Sequence, residues 1–179
     1  QRSGEITLWT SGTGSGKSTI VRELIYSHLN EGRSVGAIML EETPQETVDD
    51  IVSLHINTPI RSIRAANTMN DLRESMGVER VDYTVCENYS EEEYLEAKKW
   101  LAETGFYVYD HEGHNAMQNL LQRMEFMATS LGVKVIILDH ITAAATAMMA
   151  SEDNNSERLL IDTLMKGIRS LCVRTGVHV

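Results

Sequence analysis

The sequence has little cysteine, no long apolar run and no excess of positive charge. Its only two cysteines, Cys86 and Cys172, are isolated and fit no metal-ligand spacing. We therefore expect two reduced, buried thiols in a protein of cytosolic type. No run of about 18 apolar residues exists, which argues against a membrane span. The first residues lack the charged-then-apolar pattern of a secretory signal peptide.

The formal net charge of −10 argues against a generally cationic nucleic-acid binder. A local basic site stays open, because physiological salt limits the range of the field to about 8 Å. The composition, with 42% apolar and 23% charged residues, is typical of a soluble globular protein. We expect one domain over residues 1–179. Because the chain begins with Gln1 and not Met, we also expect a fragment or a processed chain.

Strand-like runs alternate with helical periodicity along the chain. Strands are expected at 5–10, 34–40, 106–110 and 133–139. The final "VHV" could begin one more. This alternation predicts an α/β fold with a mainly parallel sheet and helices on both faces.

Helices are expected at five places between these strands. One follows the first strand and ends near Gly32, and two begin at capping signals, Thr43-Pro44-Gln45-Glu46 and Ser90 to Glu93. Another carries an apolar stripe over 117–131, and the last begins at Ser156. The stretch 57–104 is the least legible, and 142–155 is expected to be a long loop.

The segment "TSGTGSGKST" at residues 10–19 lies between the first strand and the first helix. Glycines allow backbone N–H groups to converge on phosphate oxygens, and the following helix adds its N-terminal dipole. Lys17 supplies a charge for the β- and γ-phosphates, and the Ser18 hydroxyl is expected to reach a bound Mg²⁺. The predicted nucleotide-binding residues here are Ser11, Gly12, Thr13, Gly14, Ser15, Gly16, Lys17, Ser18 and Thr19.

Two further acids complete a nucleotide-hydrolysing site in this interpretation. Asp139 ends the buried strand "VIILD", where ligands gather in open α/β sheets, and we expect it to hold Mg²⁺ through water. Glu41 ends the other apolar strand and is the candidate base that activates water. Glu42 should point to the opposite side by strand alternation. Alternatively, both glutamates merely precede the helix cap at Thr43. His140 either orients Asp139 or the loop beyond it, or is structural.

The order "TSGTGSGKST … AIMLEET … VIILDHIT … SERLLIDTLMKGIRSLCVRTGV" resembles the motor domain of DnaB-type replicative ring helicases of superfamily 4. It is most similar to the helicase half of T-odd phage primase-helicases and their mitochondrial relative, Twinkle. The general phosphate-loop fingerprint has glycine at the position of Ser11, but the phage relatives also carry serine there. The likeness covers residues 4–56 and 106–179 and is faint between 57 and 104.

The resemblance implies a RecA-like P-loop NTPase core, Mg²⁺, ATP or dTTP as substrate, and hexameric rings with nucleotide bound between subunits. It gives Glu41 the role of polarising the attacking water. It places the loop after Asp139 in a channel that contacts single-stranded DNA, with the contacts coming from Thr142, Thr146, Ser151, Asn154 and Asn155. This loop has no Lys, Arg or aromatic residue, so its own affinity for DNA should be slight. Six copies in a ring could still bind through effective concentration.

In this family the next strand carries a residue that senses the γ-phosphate, and a later arginine reaches the neighbouring subunit's nucleotide. The chain stops at Val179, before both, so we expect a core truncated at its C-terminus. Arginine fingers contribute roughly 10³–10⁵ in rate. We therefore expect residues 1–179 alone to hydrolyse nucleotide very slowly and to unwind nothing.

Other functions remain open at this point. A RecA- or RadA-like recombination ATPase shares the core but forms filaments, and a P-loop switch module binds nucleotide without moving DNA. We expect a cytoplasmic protein of a bacterial or phage-infected cell, with primase and polymerase as further partners and no membrane. The mitochondrial relative leaves that compartment open. The run "DHEGH" at 110–114 hints at a metal but lacks the spacing of a zinc helix, which favours a solvated turn.

Overall fold

A computed structural model describes residues 2–10, 12, 14–82, 89–110, 120–149 and 157–179. These residues form three strands and seven helices, which alternate except for one run of three consecutive helices and one run of two. The elements are α1 Lys17–Asn30, β1 Val35–Met39, α2 Pro44–His55, α3 Ile60–Ser75, α4 Glu91–Glu103, β2 Phe106–Val108, α5 Leu120–Thr129, β3 Val135–Asp139, α6 Ile141–Met149 and α7 Glu157–Thr175. The predicted α/β class is confirmed.

The sheet is parallel and has the order β2-β1-β3. Two further segments extend it beyond β3. His178 forms a parallel bridge with Val135, which confirms strand pairing in the final "VHV". The Thr7 amide donates to the Val179 carbonyl (2.9 Å), and the Val179 amide donates to the Glu5 carbonyl (3.2 Å). The predicted first strand, at 5–10, is wrong as a strand: these residues lie along this edge with only two backbone hydrogen bonds to Val179, too few to form one.

The sheet separates two apolar cores, and β1 contributes to both. All five of its residues are buried. Ile38 packs into the core built with α5, α6 and α7, whereas Val35, Ala37 and Met39 pack into the core built with α1, α2 and α4. A strand buried on both faces has no polar alternation, which explains the continuous apolar run in the sequence. The predicted two-sided covering of the sheet is confirmed.

Both predicted helix starts are confirmed. The Thr43 amide donates to Glu46 Oε2 (2.9 Å) and the Glu46 amide donates to Thr43 Oγ1 (3.2 Å), which completes a capping box ahead of Pro44. Ser90 Oγ accepts from the Glu93 amide (3.4 Å) at the start of α4. These local bonds satisfy helix amides that have no partner within the helix.

The predicted long loop over 142–155 is wrong in its first half. Residues 141–149 form α6, in which Thr142 and Thr146 stand on a helix. The segment is rich in alanine, the best helix former, and Ala144 and Ala145 are fully buried. Residues 150–156 lie outside the described ranges, and so does the start of α7 predicted at Ser156. The predicted inward residues of α7 are buried as expected: Leu160, Leu164, Ile168 and Leu171.

Other predictions are partly outside the described chain. Met117 and the histidines of "DHEGH" belong to 111–119, and Cys86 belongs to 83–88. The described part of the striped helix, α5, buries Leu120, Met124 and Met127. Cys172 is a buried free thiol, and burial raises its pKa. Over the parts of the chain that the structure describes, no helix combines the length and apolar character needed to cross a membrane.

Candidate nucleotide site

The glycine-rich segment leads directly into the first turn of α1. Gly16 is the N-cap residue with φ 82°, and Gly14 has φ 75°. Residues with a Cβ rarely adopt such positive φ angles, so the backbone requires glycine at both positions. A Cβ built on Gly12, Gly14 or Gly16 would meet no atom within 4 Å. The backbone at the start of α1 is therefore uncovered, as an anion-binding helix terminus requires.

Two side chains of this segment turn back onto one carbonyl. Lys17 Nζ donates to the Gly12 carbonyl (3.0 Å), and Ser15 Oγ donates to the same oxygen (2.7 Å). Lys17 and Ser18 are half-buried, and Thr19 is exposed. The lysine ammonium is thus held over the glycine turn itself. Ser11 and Thr13 lie outside the described residues.

Lys17 and Asp139 line the same cavity, which has a volume of about 390 Å³. His140 and Thr142 lie on its wall as well. Most of the remaining lining is apolar and comes from the segment 6–10, β3 and α7. The charged groups are therefore concentrated where α1 begins and β3 ends.

The ends of β1 and β3 meet at this point. Met39 pairs with Asp139 in the parallel register, and the Leu40 amide donates to the Asp139 carbonyl (2.7 Å). Beyond that bond, His140 Nε2 lies 3.3 Å from Glu41 Oε2 and 3.3 Å from Asp139 Oδ1. The two acids predicted to act together are thus bridged by one imidazole.

The two carboxylates at this bridge differ in exposure. The Asp139 side chain is 16% exposed, whereas the Glu41 side chain is 64% exposed. A half-buried carboxylate that lines the same cavity as Lys17 suits a fixed role at a cation. An exposed carboxylate beside it is accessible to water and to a bound ligand.

Glu42 has different surroundings. Its side chain is 15% exposed and forms an ion pair between Oε1 and Arg22 Nη2. Arg61 Nη1 lies 4.0 Å from the same oxygen. The two glutamates do have different partners, as predicted, but the predicted reason is wrong: β1 ends at Met39, so Glu41 and Glu42 both lie in the turn after the strand and strand alternation does not apply to them. The turn directs Glu41 to His140 and Glu42 to Arg22.

Of the residues predicted to contact DNA, only two fall in the described ranges. Thr142 is exposed on α6 and lines the cavity. Thr146 lies one turn further along the same helix. Ser151, Asn154 and Asn155 lie outside the described residues.

Arg22 and Arg61 were not found by sequence reasoning. Arg22 contacts Glu42 and Asp50, and Arg61 contacts Glu46 and Asp50. These partners lie on α2 and on the turn after β1, whereas the arginines lie on α1 and α3, so periodicity within one element carries no signal of them. The capping box at Thr43 was the only local pattern in this group of residues.

Comparison with curated proteins identifies a viral relative. The chain is 32% identical over 177 residues, 98% of its length, to the DNA helicase/primase of Enterobacteria phage T3. The predicted resemblance is confirmed. The chain spans about 28% of the length of the phage helicase/primase. No protein-family model matches the chain.

Comparison with solved structures gives the same fold. A KaiC-like protein from the archaeon Pyrococcus horikoshii superposes with a TM-score of 0.56 at 19% identity. The match covers 98% of this chain and 59% of the archaeal one. The RecA-like core implied by the resemblance to the phage helicase/primase is therefore confirmed at the level of fold.

Proposed function

We propose that this chain is the NTP-hydrolysing motor domain of a DnaB-type replicative helicase, which translocates on single-stranded DNA to unwind duplex. One observation carries the proposal: Lys17 and Asp139 share a cavity, and Glu41 reaches the same corner through His140. A phosphate loop, a strand-end aspartate and an accessible glutamate are the groups that nucleotide hydrolysis needs. The similarity to the phage helicase/primase supports unwinding as the use of that hydrolysis.

Binding of the nucleotide begins at the glycine turn. The uncovered amides at the start of α1 bind phosphate oxygens, and the helix dipole favours their negative charge. Lys17 exchanges the Gly12 carbonyl for a β- or γ-phosphate oxygen. Because the ammonium already lies over the turn, this exchange needs only a side-chain movement.

The oxygen-bearing side chains at the site fit a Mg²⁺ ion that the protein and the nucleotide phosphates bind together. Among the described residues no three His, Cys, Asp or Glu side chains form a metal site of their own. Mg²⁺ in nucleotide sites is held by one or two protein oxygens together with phosphates. The Ser18 hydroxyl and the Asp139 carboxylate, the latter through water, are those oxygens in this proposal. When bound, the cation neutralises charge that develops on the phosphates.

Hydrolysis then requires a base. Glu41 is accessible, acidic and close to Asp139, so we assign it to the attacking water. His140 lies between the two carboxylates and keeps Glu41 on the side of Asp139. ATP and dTTP are both candidate substrates, because no residue that contacts the base has been assigned.

We propose that the segment after β3 contacts single-stranded DNA. Thr142, Thr146, Ser151, Asn154 and Asn155 offer hydroxyl and amide groups, which contact phosphates without reading sequence. Each contact is weak because it carries no charge. We propose a hexameric ring that presents several copies to one strand, with primase and polymerase as further partners.

The test is hydrolysis of ATP and of dTTP by the full-length protein, with and without single-stranded DNA. We expect stimulation by the DNA, and loss of nucleotide binding in Lys17→Ala. A Lys17→Ala protein that binds nucleotide like the wild type would contradict the proposed site. Absence of DNA stimulation would favour a nucleotide switch, and filaments in electron micrographs would favour a recombination ATPase over a helicase ring.

A further inference from the structure

An ion-pair network joins the helix that begins at Lys17 to the turn that carries Glu41. Arg22, on α1, forms an ion pair through Nη2 with Glu42 Oε1, and its Nε lies 2.9 Å from Asp50 Oδ2 on α2 without the geometry of a hydrogen bond. The three side chains are 14–21% exposed. One guanidinium therefore connects the phosphate-loop helix, the turn after β1 and α2.

The network continues through α3. Arg61 Nη1 lies 2.8 Å from Asp50 Oδ2, and Arg61 Nη2 lies 2.8 Å from Glu46 Oε1. Glu46 completes the capping box at Thr43. Hydrogen bonds from the Thr43 amide and hydroxyl are the main cause that lowers the pKa of Glu46 below its usual value, and the charge of Arg61 lowers it further. Residues 40–43 are thus held at two points, by the capping box at the start of α2 and by the ion pair between Glu42 and Arg22.

The geometry gives Arg22 a particular position in this set. Lys17 and Arg22 belong to the first two turns of one continuous helix. Glu42 is bonded to that helix and directly follows Glu41 in the chain. Glu42 Oε2 has no hydrogen-bond partner among the described residues, so the carboxylate depends on the arginines at Oε1. A shift of Glu42 would move the peptide that positions Glu41.

We infer that Arg22 is a positioning residue for hydrolysis: by holding Glu42 it sets Glu41 at a fixed distance from the phosphate loop. This inference rests on the proposed function of Glu41. Arginine suits the task because one guanidinium hydrogen-bonds Glu42 and lies within ion-pair distance of Asp50 at the same time, which a single lysine ammonium does with less directional control. The ion pair with Glu42, which directly precedes the capped start of α2 and follows Glu41, is the contact through which Arg22 acts.

The experiment measures hydrolysis and binding separately in the full-length protein. Arg22→Gln and Glu42→Gln are compared with the wild type for kcat with DNA, and for the Kd of ADP and of ADP with aluminium fluoride, both with Mg²⁺. We expect kcat to fall roughly 10- to 100-fold, since small misplacements of a reacting group have effects of this size. The Kd of ADP should stay unchanged, and the fluoride complex should bind more weakly.

Two further variants separate positioning from simple damage to the fold. Arg22→Gln added to Glu41→Gln should cause no further loss, because both changes act through the same carboxylate. Arg33→Gln is the control: Arg33 lies beyond the C-terminal end of α1, opposite the phosphate loop, where it pairs with exposed Glu31 (2.8 Å) and contacts His28 Nδ1 (3.1 Å), and kcat should not change. Arg22→Lys, which keeps the charge, should recover part of the rate.

Glu42→Gln keeps the shape of the side chain, so it serves if Arg22→Gln fails to fold. A normal kcat in a folded Glu42→Gln or Arg22→Gln protein would overturn the inference. A parallel loss of ADP binding would overturn it as well, because a structural defect would then explain the rate. If the wild type hydrolyses neither ATP nor dTTP, the proposed function itself is contradicted. If the wild type hydrolyses them and the Arg22 and Glu42 variants do so equally well, only the role of Arg22 is contradicted.

Discussion

Glu41 and Glu42 are neighbours, yet they belong to two different regions of the molecule. Glu41 belongs to the carboxyl edge of the sheet, where the backbone is uncovered, the glutamate is exposed and Lys17 and Asp139 share a cavity. Glu42 belongs to the layer of helices α1 to α3, where carboxylates and guanidinium groups are paired. Identical side chains one residue apart are therefore expected to have separate roles, one in chemistry and one in geometry.

The largest expected effect separates these regions by activity. Glu41→Gln should lower kcat about 10²–10⁴-fold, because the amide cannot accept a proton from water. Nucleotide binding should remain, since Glu41 is not part of the glycine turn. Steady-state hydrolysis and nucleotide titration of the full-length protein measure the two quantities. Equal activity of Glu41→Gln and the wild type would move the base to another residue.

The second prediction concerns stability in the paired layer. Asp49 accepts hydrogen bonds from Tyr94 (2.7 Å) and Gln45 (2.8 Å) and forms an ion pair with Arg64. Asp49→Ala leaves these donors without their acceptor and should lower the free energy of unfolding by about 3 kcal/mol. Urea denaturation measures this change. The control, Arg33→Gln, breaks an exposed pair and should change it by less than about 1 kcal/mol.

The protein that remains folded after Asp49→Ala should keep the wild-type Kd for nucleotide. A large loss of nucleotide affinity without a loss of stability would show that the two regions are not separable in this way.

The third prediction compares two glycines within the open region. Gly16 has φ 82° at the N-cap of α1, so Gly16→Ala should destabilise the fold by about 1 kcal/mol. The added Cβ would also narrow the space in which phosphate binds. Gly12 is as open but has no φ in the left-handed region, so Gly12→Ala should not lower stability. Thermal unfolding without nucleotide tests the pair, and equal melting temperatures would contradict the assignment.

The smallest effect is a pH dependence at the far end of α1. Burial, and then the nearby Arg33, lower the pKa of His28 below 6.5. The unfolded chain therefore binds more protons than the folded one below pH 6.5, and stability should decrease as the pH falls through that range. His28→Gln should flatten this part of the curve. Urea midpoints measured between pH 5 and 8 give this pH dependence of stability. If His28→Gln shows the same pH dependence as the wild type, another group causes it.

Much of the carboxyl edge could be predicted from sequence because its signals are local. The phosphate loop, the apolar strands of β1 and β3 and the capping box at Thr43 are each read within one short segment. The separation of Glu41 from Glu42 is not local, because both lie in the turn after β1 and their partners, His140 and Arg22, belong to distant segments. The strand order could not be predicted from local signals, because β1 pairs with both β2 and β3, which are distant from it in the sequence.

The paired layer could not be predicted in the same way. In α3, Ile60, Ile63 and Asn70 are the buried residues, so the helix has no clear apolar stripe. Its first turn is held in the core by Ile60, and Arg61 and Arg64 attach it further to carboxylates on α2. In 142–155 the sequence misleads for another reason: a run of small residues predicts a loop, but buried alanines pack as a helix, and residues 141–149 form α6.

The most direct test of the central claim is a crystal structure with a non-hydrolysable ATP analogue and Mg²⁺. We predict that Lys17 Nζ leaves the Gly12 carbonyl, now 3.0 Å away, and contacts the β- and γ-phosphates. Asp139 should lie on the cation side, and Glu41 should face the γ-phosphate. A nucleotide bound elsewhere, with Lys17 still on the Gly12 carbonyl and Glu41 turned to solvent, would contradict the account.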